Sequence, residues 1–193
     1  MGAAKKFVRL PATIRGKTSM FSTTNRPEIA ISGPTEGLYR LEANQWIPRS
    51  RSDLFAFFAD AFQLEILTPP WLHFSVVTPP PITMAEGLLI DYRLRLHGIP
   101  LRWQSRISLW EPDVRFVDEQ VRGPYSHWHH EHVFSDADQG THCRDIVHYR
   151  VPGGRFIDRF FVRPDLRRIF AFRQKKLQEL FDKNLSCQQS NGQ

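Results

Sequence analysis

The sequence predicts an α+β fold in which a curved antiparallel sheet packs against a long C-terminal helix. Apolar and polar residues alternate over much of residues 73–151, and short turns separate the alternating stretches. From Leu166 to Phe181 the apolar residues instead take the spacing of one helix face. A length of 193 residues with 41% hydrophobic residues suits a single globular domain. Two cysteines exclude a disulfide scaffold, and the longest apolar runs are too short to span a membrane.

The first predicted elements are a strand over 38–43 and two short helices. Ser50 is a candidate N-cap for a helix over 54–59, and the proline pair that begins at Pro69 ends a second helix over 64–67.

Five further strands are predicted, joined by turns rich in glycine, proline and aspartate. They cover residues 88–96, 101–109, 115–122, 127–134 and 142–151. A helix of about 20 residues should then start near Pro164, with Leu166 and Phe170 on its apolar face. Its opposite face carries basic residues, namely Arg167, Arg168, Arg173, Lys175 and Lys176.

The charge divides the chain into three parts. The net charge is +6, but residues 1–37 and 155–176 are basic, whereas the middle of the chain has more acidic than basic residues. This distribution argues against a nucleic-acid groove in the body of the fold. We therefore predict a flexible basic extension over 1–37, a folded domain over 38–185 and a disordered tail over 186–193.

Location is predicted from the same N-terminal composition. No apolar segment follows the first lysines, so the sequence predicts a cytoplasmic protein. The acid-poor composition before Glu28 is also typical of organellar transit peptides, and that alternative stays open.

Several runs of residues along these elements are typical of one superfamily. They are Leu67–Leu72, Ile90–Leu96, Gly98–Trp103, Phe116–Gln120, Gly123–Tyr125 and Trp128–Phe134. They resemble the bacterial cyclase/dehydrase-like ligand-binding proteins of the START-like superfamily, also called SRPBCC or helix-grip. The resemblance covers residues 38–182. It implies a sheet wrapped around the C-terminal helix, with an elongated cavity between them that binds, and in some members transports, a hydrophobic or aromatic small molecule such as a lipid, a quinone or a polyketide. It also implies an alternative, an enzyme of cyclase/dehydrase type.

Large apolar side chains share one parity of the predicted strands and could line such a cavity. They are Tyr92, Leu94, Trp103, Ile107, Phe116, Trp128, Phe134 and Tyr149. The alternative is that they pack as an ordinary core.

Polar residues on this same parity are the most informative feature of the sequence. Turn lengths predict that Asp118 lies opposite His132, that Gln120 lies opposite His130, and that His132 also lies opposite Asp145. One interpretation is a buried network that satisfies itself, with His132 charged. Another is a polar floor that orients a ligand, and a third is general acid–base catalysis by the two histidines and two aspartates.

A metal site is a further alternative, because two histidines in a His-x-His pattern on one strand can bind zinc if Asp118 or Asp145 supplies a third ligand. The chain has no cysteine pair and no His-Glu-x-x-His helix. The sequence therefore predicts no metal and no cofactor.

The predicted ligand-binding residues are Tyr92, Trp103, Phe116, Asp118, Gln120, Trp128, His130, His132, Asp145 and Tyr149. The predicted partners are a hydrophobic small molecule, no nucleic acid, and a weak contact of the basic C-terminal helix with anionic membranes.

Overall fold

The computed structural model describes residues 27–182 as one eight-stranded antiparallel sheet with helices against its concave face. The strands are β1 (Glu28–Thr35), β2 (Leu38–Ile47), β3 (Ser75–Val76), β4 (Leu89–Leu96), β5 (Ile99–Glu111), β6 (Arg115–Arg122), β7 (His127–Ala137) and β8 (Gly140–Arg150). The helices are α1 (Arg51–Ala59), α2 (Gln63–Leu67), α3 (Gly154–Ile157) and α4 (Arg163–Phe181). A 3₁₀ turn over Pro70–Leu72 follows α2, and a π-helical turn over Asp158–Val162 joins α3 to α4.

The sheet is open, in the order β1-β2-β8-β7-β6-β5-β4-β3. The hairpin of β1 and β2 lies at one edge of the sheet, and β3 and β4 lie at the other. The meander of β5 to β8 lies between them, and the sheet curves around α4. The predicted α+β fold, with two short helices after an early strand and a long C-terminal helix, is confirmed.

The folded region begins earlier than the sequence predicts. Residues 28–35 form β1, which pairs with β2 from Glu28↔Asn44 to Thr35↔Leu38, so the boundary at 37/38 is wrong. Ile29 and Ile31 alternate along β1 and pack on the cluster that contains Tyr39. Residues 1–26 of the predicted extension and the predicted tail over 186–193 lie outside the described residues.

Local signals explain where the helices begin. Ser50 Oγ accepts a hydrogen bond from the Asp53 backbone amide at 3.1 Å, as expected of an N-cap. Pro164 lies in the first turn of α4, where its missing amide hydrogen costs nothing. None of the helices within residues 27–182 is long and apolar enough to cross a bilayer.

Helix α4 is attached to the sheet by both apolar packing and amide hydrogen bonds. Leu166, Phe170 and Leu177 are buried against it. Gln174 Nε2 donates to the carbonyl of Asn44 on β2 at 3.1 Å, and Gln45 Nε2 donates to the Gln174 carbonyl at 2.8 Å. These contacts fix the helix across the concave face and so define one wall of the site described next.

Candidate functional site

A cavity of about 210 Å³ lies between the concave face of the sheet and the helices α1, α2 and α4. Most of its lining is aromatic or aliphatic, from β4 to β7 on one side and from the helices on the other. The aromatic lining residues are Phe58, Phe74, Tyr92, Trp103, Phe116, Tyr125, Trp128 and Phe170. Polar atoms in an apolar cavity of this kind determine how a ligand is oriented.

Three aromatic rings form one wall of this cavity. Trp103 on β5 and Trp128 on β7 are perpendicular, with ring centroids 5.3 Å apart. Tyr125, from the loop between β6 and β7, lies 4.7 Å from Trp128 and 5.7 Å from Trp103. Trp103 is edge-to-face with both of the other rings, a favourable geometry for aromatic pairs that holds the three rings as one surface.

The polar floor of the cavity consists of Asp118 on β6, His130 and His132 on β7, and Asp145 on β8. The period-2 alternation of β7 puts both histidines on the cavity face, since they are two residues apart. Both are buried, at 6% and 3% exposure. Their rings lie against each other, with centroids 3.8 Å apart.

Each imidazole lies between the two carboxylates. His130 Nε2 donates to Asp145 Oδ1 at 3.0 Å, and His132 Nε2 donates to Asp118 Oδ2 at 3.1 Å. The other ring nitrogens lie close to the opposite aspartate, with His130 Nδ1 3.4 Å from Asp118 Oδ2 and His132 Nδ1 2.8 Å from Asp145 Oδ1. Neither of these two contacts is aligned as a hydrogen bond within the described structure.

Arg173 of α4 adds a cation to the floor. Its Nη1 lies 3.7 Å from Asp145 Oδ1, and its guanidinium lies over the rings of Phe58 and Phe170 at 5.7 and 5.9 Å. The residue is only 8% exposed. Because a buried carboxylate needs a compensating charge, Arg173 offsets the cost of burying the Asp145 carboxylate.

Both aspartates of the floor have a lowered pKa although both are buried. Burial alone would raise the pKa of Asp145, but the Arg173 charge and the contacts with the two imidazoles hold that pKa well below its usual value. At Asp118, burial acts in the same direction and is again outweighed, mainly by the hydrogen bond from His132, so the pKa is lowered. Both groups are therefore carboxylates at neutral pH.

The two histidines shift in opposite directions. Burial and the neighbouring charge of His132 lower the pKa of His130 despite its hydrogen bond to Asp145. Burial also disfavours the charged form of His132, but contacts with both aspartates outweigh it and raise the pKa. Relative to an ordinary imidazole, the surroundings thus favour the neutral form of His130 and the protonated form of His132.

Two further side chains extend this network along the sheet. Ser105 Oγ donates to Asp118 Oδ1 at 3.3 Å, and Trp103 Nε1 donates to Ser105 Oγ at 3.0 Å. A hydrogen-bonded path therefore connects the aromatic wall with the carboxylate of the floor.

Comparison with known proteins places this site in a family. The family model described as polyketide cyclase / dehydrase and lipid transport matches residues 47–173. The chain belongs to this family. The resemblance to START-like cyclase/dehydrase proteins is thereby confirmed. A comparison with curated proteins finds no match.

Solved structures similar to this member of the polyketide cyclase/dehydrase and lipid-transport family share its fold. Protein Ms6760 from Mycobacterium smegmatis is 14% identical with a TM-score of 0.58, and the match covers 79% of this chain and 97% of that one. Protein TTHA0849 from Thermus thermophilus is 21% identical, with a TM-score of 0.54 and coverage of 72% and 94%. Major latex-like protein 151 from Panax ginseng is 7% identical, with a TM-score of 0.58 and coverage of 76% and 99%. At these identities the likeness establishes the fold.

In this family member, seven of the ten residues predicted to bind a ligand line the cavity. They are Tyr92, Trp103, Phe116, Asp118, Trp128, His130 and His132. Asp145 lies behind the histidines and contacts them rather than the cavity. Tyr149 is fully buried and donates to Asp158 Oδ1 at 2.7 Å, while Gln120 points to the β6–β7 loop.

One of the two predicted registers is wrong by two residues. Asp118 lies opposite His130, and Phe116, not Asp118, lies opposite His132. The reason is Gln120, whose side chain bonds both the amide and the carbonyl of Tyr125 and so holds a wider loop than the predicted hairpin. The other register is confirmed, since His132 lies opposite Asp145. An even shift keeps every side chain on its face, which is why Asp118 still reaches His132.

Arg173 does not lie on the basic exposed face of α4, where the sequence pattern placed it. That prediction is wrong, because Arg173 lies on the buried side against Asp145. Its place is on the same face as Phe170 and Leu177, three and four residues away, and this spacing is visible in the sequence. Ser105 and Tyr125 were also missed as parts of the site, because their roles depend on the observed pairing of β5 to β7.

The remaining histidines of β7 lie on the opposite face of the sheet. His129 is paired with His148 on β8, with ring centroids 6.2 Å apart. Burial and the charges of Arg40, His129 and His127 lower the pKa of His148. The chain therefore has a second group of imidazoles, separate from the cavity.

Proposed function

We propose that the protein binds a hydrophobic or aromatic small molecule that carries an oxygen-bearing group at one end. The observation that supports this is the distribution of polarity in the cavity, whose apolar lining ends at a buried polar floor of Asp118, His130 and His132. The aromatic wall would pack against the rings or chains of the ligand, and the floor would fix its polar end. Carriage of the ligand between sites, as the family description allows, is part of this proposal.

A paired substitution tests whether the cavity is the binding site. Leu101 lines the cavity from β5, whereas Leu89 on β4 is exposed outside it. Leu101→Trp should fill part of the cavity and weaken binding of hydrophobic probes, and Leu89→Trp should leave binding unchanged. Native mass spectrometry of gently purified protein would show the co-purifying ligand, and fluorescence of a hydrophobic probe would measure the affinity. An empty wild-type protein without affinity for such probes would refute the proposal.

A cyclase/dehydrase-type reaction is the second candidate, and one observation favours it. The pKa of His132 is raised and that of His130, 3.8 Å away between ring centroids, is lowered, so one cavity floor carries a ring that favours holding a proton beside one that favours accepting it. On this proposal His130 would accept and His132 would donate a proton to the ligand, with Asp118 and Asp145 holding their orientation. His130→Gln should then abolish turnover of a bound ligand but only weaken its binding, in protein that circular dichroism shows to be folded. Binding without any conversion by the wild type would leave the carrier function alone.

Contact with an anionic membrane, predicted for α4, is better supported just before that helix. Phe156, Phe160 and Phe161 are 64%, 58% and 50% exposed, and the exposed Arg155 and Arg159 each directly precede one of them. On α4 itself, by contrast, Lys176 is paired with Glu179 at 2.6 Å. Exposed aromatic side chains with adjacent arginines are the combination that binds at a lipid interface.

The membrane contact is tested by co-sedimentation with vesicles of equal parts phosphatidylcholine and phosphatidylglycerol. Wild-type protein should sediment at low salt and less at high salt, and Phe156→Ser with Phe160→Ser should reduce binding severalfold. Leu89→Ser, a change of the same kind at another exposed apolar residue, should have no effect. Wild-type protein that stays in the supernatant at low salt would refute this contact. The cytoplasmic location expected from the sequence stays a prediction.

A further inference from the structure

Each aspartate of the floor lies close to one ring nitrogen of each of the two histidines. Asp118 Oδ2 lies 3.4 Å from His130 Nδ1 and 3.1 Å from His132 Nε2. Asp145 Oδ1 lies 3.0 Å from His130 Nε2 and 2.8 Å from His132 Nδ1. Asp118, His130 and His132 therefore present one carboxylate oxygen and two ring nitrogens to each other, all within 4.8 Å.

These separations are close to those of donor atoms around a tetrahedral zinc ion. With bonds of about 2.0 to 2.1 Å to nitrogen and oxygen, two ligand atoms of a tetrahedral site lie about 3.3 Å apart. The two measured separations from Asp118 Oδ2, 3.1 and 3.4 Å, bracket this value. All three donor atoms lie within 4.8 Å of one another, so adjustments of these side chains alone would accommodate an ion.

At His130 the hydrogen bonds leave a free electron pair where the ion would bind, and at His132 the ion would replace the proton on Nε2, which now points to Asp118. His130 Nε2 donates to Asp145, which places the electron pair of its neutral ring on Nδ1, the atom that faces Asp118. Asp145 also lies behind His132, on the side away from Asp118. A carboxylate that holds the outer nitrogen of each ligating histidine is the usual support of such sites.

The surroundings suit an ion that keeps one coordination position for a ligand in the cavity. Arg173 is paired with Asp145, whereas Asp118 and the two histidines line the cavity. The Asp118 side chain is 18% exposed and lines the cavity together with both histidines. A site with three protein ligands therefore faces the cavity, where a further ligand can reach it.

We propose that Asp118, His130 and His132 bind one divalent transition-metal ion of the zinc class, with a coordination position open to the cavity. The sequence predicted no metal and left Asp118 and Asp145 open as a third ligand. This proposal reverses that prediction. An ion there would attract the oxygen of a carbonyl or hydroxyl group and polarise it. The metal site shares its floor with the proposed function, but the ion can bind whether or not an organic ligand does.

The histidines on the other face provide the competing explanation for any metal binding. His129 and His148 are neighbours across β7 and β8 and could bind an ion adventitiously. The decisive comparison is therefore between His132→Gln or Asp118→Asn, which alter the floor, and the double variant His129→Gln with His148→Gln, which alters the outer face. Circular dichroism checks that each variant is folded.

The experiment starts from full-length protein freed of metal with a chelator. Zinc content after dialysis against zinc and the visible absorption of added cobalt are then measured. We expect one ion per chain in the wild type and in the outer-face double variant. Asp118→Asn and His132→Gln should lose this stoichiometric binding, and Asp145→Asn should weaken it about 10- to 100-fold.

Two results would overturn the proposal. One is a wild type that binds no zinc or cobalt at one ion per chain. The other is binding that survives Asp118→Asn but is lost in the outer-face double variant. If His132→Gln fails to fold, Asp118→Asn, which keeps the shape of the side chain, decides the question. Probe binding to the metal-free wild type tests the proposed ligand site separately, so failure of one does not imply failure of the other.

Discussion

Replacing Asp145 with asparagine should destabilise the protein strongly and in a pH-dependent way. Asp145 is 5% exposed and lies within 3.7 Å of Arg173 and within 3.0 Å of both cavity histidines. Asparagine keeps the size of the side chain and can still accept one hydrogen bond, but it removes the charge. In metal-free protein, Arg173 and a protonated His132 would then share the single carboxylate of Asp118.

The expected magnitude follows from the burial of these contacts. Removing one partner of a buried ion pair costs about 3 to 5 kcal/mol, because the remaining charge stays desolvated. For a chain of this size, that corresponds to a fall in melting temperature of roughly 6 to 20 °C. The cluster can relieve part of the cost by releasing the proton of His132, so the loss should depend on pH.

The sign of this dependence comes from the raised pKa of His132. A raised pKa means that the proton on His132 stabilises the folded state fully below about pH 6.5, its unfolded value, and progressively less as the pH rises through the folded value. Above that value His132 is neutral in both proteins. The difference in unfolding free energy between wild type and Asp145→Asn should therefore be largest near pH 6 and smaller near pH 9.

Urea denaturation at several pH values measures this difference, with chelator present throughout. Asp138→Asn is the matched control, because Asp138 is an exposed carboxylate in the β7–β8 turn. It should change the unfolding free energy by less than about 0.5 kcal/mol. An Asp145→Asn protein as stable as this control, or equally destabilised at every pH, would show that the network does not hold the floor together.

Three other changes test single contacts of the fold. Tyr149→Phe removes the hydrogen bond to the buried carboxylate of Asp158 and should cost about 1.5 to 3 kcal/mol in urea denaturation, whereas a cost near zero would mean that Arg163 alone satisfies Asp158. Ser50→Ala removes the N-cap of α1 and should cost about 1 kcal/mol by the same measurement, and unchanged stability would contradict the capping role. Gln120→Leu removes both hydrogen bonds to Tyr125 and should accelerate amide exchange in the β6–β7 loop, measured by mass spectrometry; unchanged exchange would show that the loop is held by other contacts.

Much of the fold could be predicted because its elements are amphipathic with clear periods. The alternation in β4 to β8 and the helical period of α4 each have one apolar face, so their type and orientation follow from the order of residues. Strand β1 was missed because only Ile29 and Ile31 give it an apolar face, and polar and glycine residues dominate its second half. Such a strand is specified by its pairing with β2 more than by its own sequence.

The sequence predicted most residues of the candidate site but not which of them contact each other. Parity alone placed Asp118, His130 and His132 on one face, and this survives a register error of two residues. Which aspartate meets which nitrogen depends on the loop that Gln120 widens. The contribution of Arg173 depends on how α4 is rotated on the sheet, which is a property of tertiary packing.

The position of Arg173 ties the assembly of the site to the docking of α4. When His130 is neutral and His132 is protonated, the charges of His132 and Arg173 balance those of Asp118 and Asp145, and this balance exists only when the helix lies on the sheet. Without a metal, the group that faces the cavity is a carboxylate that accepts hydrogen bonds, so it should select a ligand hydroxyl group and repel an anion. With a metal bound, the same position would attract carbonyl or anionic oxygen instead. Comparing a ligand alcohol with its ketone, with and without zinc, therefore distinguishes the two states of the floor by a reversal of preference.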